Sequence, residues 1–162
     1  MYKYQDLGLA VILVFIIFFF SFTVQSTINP SNLCSDSLGC HLKLNEEYNN
    51  PDSCNYYENA SKCYEQSVYI LEDISLCEYT QDPDNCYISS SIYFENFSVC
   101  DRVQDYDSCV FSYAVGIEDY SYCEKHTDKE ICIYSYAVSK NDKNICELSG
   151  AYKNMCENEI EN

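Results

Sequence analysis

Twelve cysteines fall on a fixed lattice, at positions 34, 40, 54, 63, 77, 86, 100, 109, 123, 132, 146 and 156. From Cys40 to Cys146 the gaps alternate 14 and 9 without exception, a period of 23 residues. A period in this range marks stacked supersecondary units, none of which buries a core alone. Four units begin at Cys54, Cys77, Cys100 and Cys123, and a truncated fifth begins at Cys146. The terminal gaps are irregular, six at the amino end and ten at the carboxyl end. Atypical ends suit the caps that such an array requires.

Each unit reads as two helices. At its sixth position stands Asn59, Asp82, Asp105 or Asp128. Asn and Asp are preferred N-caps because the side-chain oxygen accepts a free N–H of the first turn. Pro83 follows Asp82 and suits the first helical position. The spacing predicts a helix of about a dozen residues, for example Lys129 to Lys140. Its inner stripe is cysteine followed at i+4 and i+5 by Tyr and Ala, as in Cys109, Tyr113, Ala114 and Cys132, Tyr136, Ala137. A second set of caps at the twentieth position (Asp73, Asn96, Asp119 and Asp142) predicts a shorter helix that carries the next cysteine. The apolar positions do not alternate, which argues against strands. The predicted fold class is all-α: an N-terminal transmembrane helix, then a solenoid-like array of short helical hairpins stapled by disulfides.

Pairing follows from symmetry about the turns. The midpoint of Cys123 and Cys132 falls at Thr127-Asp128, between the short and the long helix, so the two side chains face each other. The midpoint of Cys109 and Cys123 falls inside the long helix, where facing is impossible. Geometry therefore favours Cys34–Cys40, Cys54–Cys63, Cys77–Cys86, Cys100–Cys109, Cys123–Cys132 and Cys146–Cys156. The other neighbour scheme strands Cys34 and Cys156, although spacing alone does not prove connectivity.

Residues Leu7 to Val24 form an almost unbroken apolar run behind a short start carrying Lys3. At 1.5 Å per residue the run spans about 27 Å, close to the hydrocarbon thickness of a bilayer. It reads as an uncleaved anchor, or as a signal peptide cut near Val24-Gln25-Ser26. Either way the remainder is expected outside the cytoplasm, where disulfides persist. The expected organisation is an anchor or signal over 1–26, an irregular capping segment over 27–53 and the repeat domain over 54–162. The chain is then a single-pass membrane protein with an extracytoplasmic domain, or a secreted one.

A formal charge of −17 disfavours nucleic acid and phosphate partners, because binding by counterion release needs cationic protein. No C-x2-C pair is present, so thiolate metal sites and thiol redox catalysis lack their usual spacing. Only two histidines occur, His41 and His126, with no nucleophile motif beside them. Cys40-His41 lacks the upstream cysteine that haem attachment needs. His126, at the end of a short helix, suits the helix dipole better than catalysis. No catalytic residue, cofactor or resident metal is expected. Acidic pairs such as Asp105 and Asp107 fit a solvated helix start, with loose Ca²⁺ binding as the alternative.

Asn59-Ala60-Ser61 and Asn96-Phe97-Ser98 match the N-glycosylation pattern, but both asparagines occupy cap slots that Asp fills elsewhere. Seventeen tyrosines recur at related positions, including Tyr56, Tyr57, Tyr79, Tyr87, Tyr113, Tyr134 and Tyr136. Some must fill contacts between units; others would face outward as a recognition row.

The unit of an acidic cap, Ser, an apolar residue, Cys-Glu, a second cap and Cys resembles cysteine-rich helical repeats of membrane-anchored or exported archaeal proteins. The likeness covers 54–156 and implies a repeat fold without any activity. The expected function is a structural or protein-interaction module at the cell surface, not an enzyme. It would be tied to the membrane by its N-terminal helix and bind another protein or surface macromolecule. The alternative is an exported binder of a ligand or divalent cation through acidic clusters.

Overall fold

A computed structural model describes Cys34 and residues 37–161. Five long helices follow one another: α1 (Leu38–Tyr48), α2 (Ala60–Leu71), α3 (Pro83–Tyr93), α4 (Tyr106–Gly116) and α5 (Lys129–Lys140). Between them lie 3₁₀ helices η1 (Pro51–Tyr56), η2 (Ile74–Tyr79), η3 (Phe97–Arg102) and η4 (Tyr120–Lys125). After α5 come η5 (Lys143–Leu148), η6 (Gly150–Tyr152) and α6 (Lys153–Ile160). No strand occurs among the described residues. The expected anchor, Leu7 to Val24, lies outside them, and no described helix is long and apolar enough to cross a membrane.

The caps act as their chemistry dictates. Oδ1 of Asn59, Asp82, Asp105 and Asp128 accepts the backbone N–H three residues on, at 3.0–3.1 Å, and opens α2 to α5. Oδ1 of Asp73, Asn96, Asp119 and Asp142 accepts the N–H only two residues on. That tighter closure starts a 3₁₀ turn, so the predicted shorter helices are 3₁₀ rather than α.

The long helices stop by a device with no glycine signal. Asn49, Glu72, Glu95, Glu118 and Asn141 sit at φ between 47° and 61°, one per repeat. The next residue's N–H then bonds the carbonyl five back, as in Asp73 to Val68 and Asp142 to Ala137. This is the Schellman closure, usually made with glycine in the left-handed position. The residue that closes one helix is therefore the cap of the next.

The array also begins before Cys54, where the first unit was expected. Asn50 caps η1 through Asp52 N–H, and α1 and η1 repeat the pattern of α2 and η2 at the 23-residue offset. Residues 38–53, within the segment expected to be irregular, form a helix and the first half of η1. The short Cys34 to Cys40 gap hid this, because it breaks the spacing without breaking the helix.

Six disulfides join Cys34–Cys40, Cys54–Cys63, Cys77–Cys86, Cys100–Cys109, Cys123–Cys132 and Cys146–Cys156. Their Cα atoms are 5.3–5.6 Å apart. From Cys54 to Cys132 each bond ties a 3₁₀ helix to the long helix after it, across the turn. Contacts run between chain neighbours: each long helix meets the next, and each of η1 to η5 lies against the helices before and after it. That is the packing of a linear repeat.

The core is a row of cystines flanked by two variable positions. The residue after each long-helix cysteine is Tyr64, Tyr87, Val110 or Ile133, and the residue four after it is Ser67, Ser90, Tyr113 or Tyr136; all are buried. The large ring thus changes place between the second and third of these helices, while the two positions together still hold one tyrosine in each of α2 to α5. Ser67 and Ser90 hydroxyls lie 3.5 and 3.7 Å from the Sγ atoms of Cys54 and Cys77. Gly116 marks a close helix approach, since a Cβ there would sit 2.7–2.9 Å from three side-chain atoms of Ile92. Gly116→Ala is expected to lower stability by about 1–3 kcal/mol through overpacking. Adding Ile92→Val should recover part of that loss in urea melts, and no recovery would place the strain elsewhere.

Candidate functional site

Each of the helices α2 to α5 reaches forward to the next unit through its second residue. Ser61 Oγ accepts Gln81 N–H at 2.7 Å, Asp84 Oδ2 accepts Gln104 N–H at 3.2 Å and Asp107 Oδ1 accepts Thr127 N–H at 2.9 Å. Glu130 Oε2 accepts Ala151 N–H at 2.9 Å. Four recurring bonds lock each turn onto the unit before it. Asp105 caps its own helix while Asp107 holds the following turn, so the pair expected as a solvated helix start, with loose calcium binding as the alternative, has two separate structural tasks. Among the described residues no group of three or more His, Cys, Asp or Glu side chains could hold a metal ion.

The Asp107 carboxyl is held below the ordinary aspartate range, chiefly by Thr127 N–H, with smaller help from the Thr127 hydroxyl and His126. A carboxylate lowered in the fold stabilises it above the unfolded value, about 3.9, and loses that contribution as pH falls through the folded value. Asp107→Asn keeps an acceptor oxygen but does not titrate. Its thermal melts should lose part of the acid destabilisation seen below about pH 4 in the parent chain. An unchanged acid limb would assign the titration to other carboxylates.

His126 is the C-cap of η4, with Nδ1 accepting Asp128 N–H at 3.0 Å and lying 3.8 Å from Asp107 Oδ1. Through that bond the imidazole ties the end of η4 to the cap of α5. His41 is fully buried in α1, its ring 5.5 Å from that of Tyr57. All twelve cysteines are bonded, so neither histidine has a free thiol beside it.

The tyrosines divide as packing requires. Tyr87, Tyr113 and Tyr136 are buried. Burial pushes the phenols of Tyr113 and Tyr136 above their ordinary pKa. Tyr57 and Tyr134 are half-buried, and the Tyr134 hydroxyl donates to Glu159. Tyr56 and Tyr79 face outward at 51% and 60% exposure. Their equivalents in the next units are Arg102, Lys125 and Leu148, also exposed, so one register position forms an outward row that changes from aromatic to cationic and ends on an aliphatic residue. A second exposed ring, Tyr93, closes α3 and packs edge-on against Tyr69 and Phe94 at 4.9 and 5.0 Å. Sequence reasoning missed Tyr93, because it occupies the equivalent of Ile70 and Gly116 and so carries no repeat signal.

One groove of about 510 Å³ lies at the first lock, lined by Ser61, Glu65, Thr80, Gln81, Asp82 and Asn85 together with bonded Cys86. The lining is polar and lacks histidine. Among the described residues the buried polar side chains are His41, Asn45 and five serines, with no Asp, Glu, Lys or Arg. The arrangement can present side chains along a repeat. The candidate functional feature is the outward row with the Tyr93 cluster. Compared with protein-family models, curated proteins and solved structures, the chain matches none. The likeness to archaeal repeats therefore rests on spacing alone, and what stands is a cysteine-rich, disulfide-bonded helical repeat.

Proposed function

We propose that the chain is a non-catalytic interaction or structural module outside the cytoplasm. It is displayed at the cell surface where residues 1–26 remain as an anchor and released where they are cleaved. The observation that carries this reading is the consumption of all twelve cysteines in six local disulfides, a state that persists in oxidising compartments. Repetition supports the second half of the reading, since stacked units supply extended surfaces more readily than singular sites. A charge of −17 favours a partner with a cationic face, which the exposed tyrosines would contact with their rings. The carboxylates needed by a divalent-cation binder are partly committed to caps and locks, which makes that the weaker reading.

The test is topological. Intact cells making the full chain are treated with protease and with a membrane-impermeant thiol reagent, before and after reduction. The expected outcome is a cleavable domain, on the cell or in the medium, whose thiols react only after reduction. A protease-protected chain with reactive thiols would overturn the proposal.

A further inference from the structure

We propose that Asn59 and Asn96 are glycan acceptors, a reading that rests on the extracytoplasmic placement above. Nine Asx residues cap helices in the described array, six of them Asp and three Asn. Asn50 is followed by Pro51 and Asp52, and its Nδ2 donates to Asp52 Oδ2 at 3.0 Å. The other two asparagines are both followed by a non-proline residue and serine. Both are exposed, and their cap bonds run through Oδ1: to Lys62 N–H at 3.1 Å for Asn59, and to Ser98 N–H at 3.2 Å for Asn96.

Capping and glycosylation use different atoms of one amide. The cap needs Oδ1 as acceptor, whereas glycosyl transfer takes place at Nδ2. In that step an Nδ2–C1 bond forms with a phosphate-activated glycosyl donor. The donor's C1–O bond breaks, the phosphate leaves with the electron pair, and Nδ2 gives up one proton. The product amide keeps its carbonyl oxygen, so the helix keeps its cap. The Asp caps elsewhere make the same bond and offer no nitrogen, so capping alone does not require Asn. The two sites differ in access. Asn59 lies inside the loop closed by Cys54–Cys63, whereas Asn96 lies between the bonded pairs Cys77–Cys86 and Cys100–Cys109. Asn96 is therefore the more fully occupied site.

The full chain purified from its own host is mapped by mass spectrometry, non-reduced, beside Asn59→Asp, Asn96→Asp and Ser98→Ala. Saccharide mass is expected on the Asn59 and Asn96 peptides and is lost from each in the matching Asp variant, which keeps the cap. Ser98→Ala leaves Asn96 and its backbone cap in place and should also remove the mass at that site. Mass on one asparagine alone supports that acceptor and overturns the other. Two bare asparagines with all six disulfides oxidised overturn the acceptor assignment and leave the compartment standing. Two bare asparagines with free thiols overturn both.

Discussion

Full reduction is expected to unfold this chain at ambient temperature. Four of its disulfides span nine residues, and the outer two span six and ten. Loop closure of that size constrains the unfolded chain by about 2.2–2.7 kcal/mol per bond. Six such bonds amount to about 15 kcal/mol, against a typical domain stability of about 5–15 kcal/mol. The apolar core is too narrow to replace them, because its central row is the cystines themselves. Far-UV circular dichroism with and without reductant reads the result: loss of helicity and of the cooperative melt. For one staple, Cys100→Ala with Cys109→Ala should remove about 2.2–2.7 kcal/mol in urea melts. A reduced chain that still melts cooperatively would show that stacking between units, rather than the staples, holds the array.

Tyr113→Ala is the most damaging single substitution expected. Tyr113 is 2% exposed and heads the fully buried side chains by volume. Its ring meets Phe97 at 5.3 Å and Tyr122 at 4.8 Å, so it joins α4 to the 3₁₀ helices on both sides. Truncation leaves a cavity and unsupported rings in two neighbouring turns, at a cost of about 3–5 kcal/mol. Tyr113→Phe keeps the packing and should cost far less. The preceding units suggest a rescue, because Tyr87 and Ser90 fill the places held here by Val110 and Tyr113. Tyr113→Ser combined with Val110→Tyr should therefore be more stable than Tyr113→Ser alone. Equal stability of the two would mean that the ring is required at its present place by Phe97 and Tyr122. Both comparisons are read from urea or thermal melts.

Much of this architecture was legible in one dimension. The cysteine lattice, the nine-residue turns and the Asx caps are local features, and local chemistry decides them: a cap needs only an oxygen two or three residues from an N–H. Asp128 and the helix from Lys129 to Lys140 needed no tertiary information. The 3₁₀ winding of the short helices was hidden, because Asp73 and Asp82 are the same residue type, and only the distance to the accepted N–H separates their turns. The helix closures at Glu72, Glu95 and Glu118 were hidden too, since a left-handed residue is announced by glycine and here glutamate holds that place.

The candidate surface divides in the same way. Repeat position alone identified Tyr56 and Tyr79 as recurring, yet burial decided that they face out while Tyr87, Tyr113 and Tyr136 fill the core. The locks from Asp84 and Asp107 to the following turn were unreadable, because a charge at the start of a helix looks like a solvated charge until the next unit is stacked on it. The sequence by itself determined the repeating unit and its favoured cross-links, because those depend on neighbours along the chain. Only the tertiary structure decided which tyrosines and carboxylates belong to the stack and which remain for a partner, because that depends on what the adjacent unit covers.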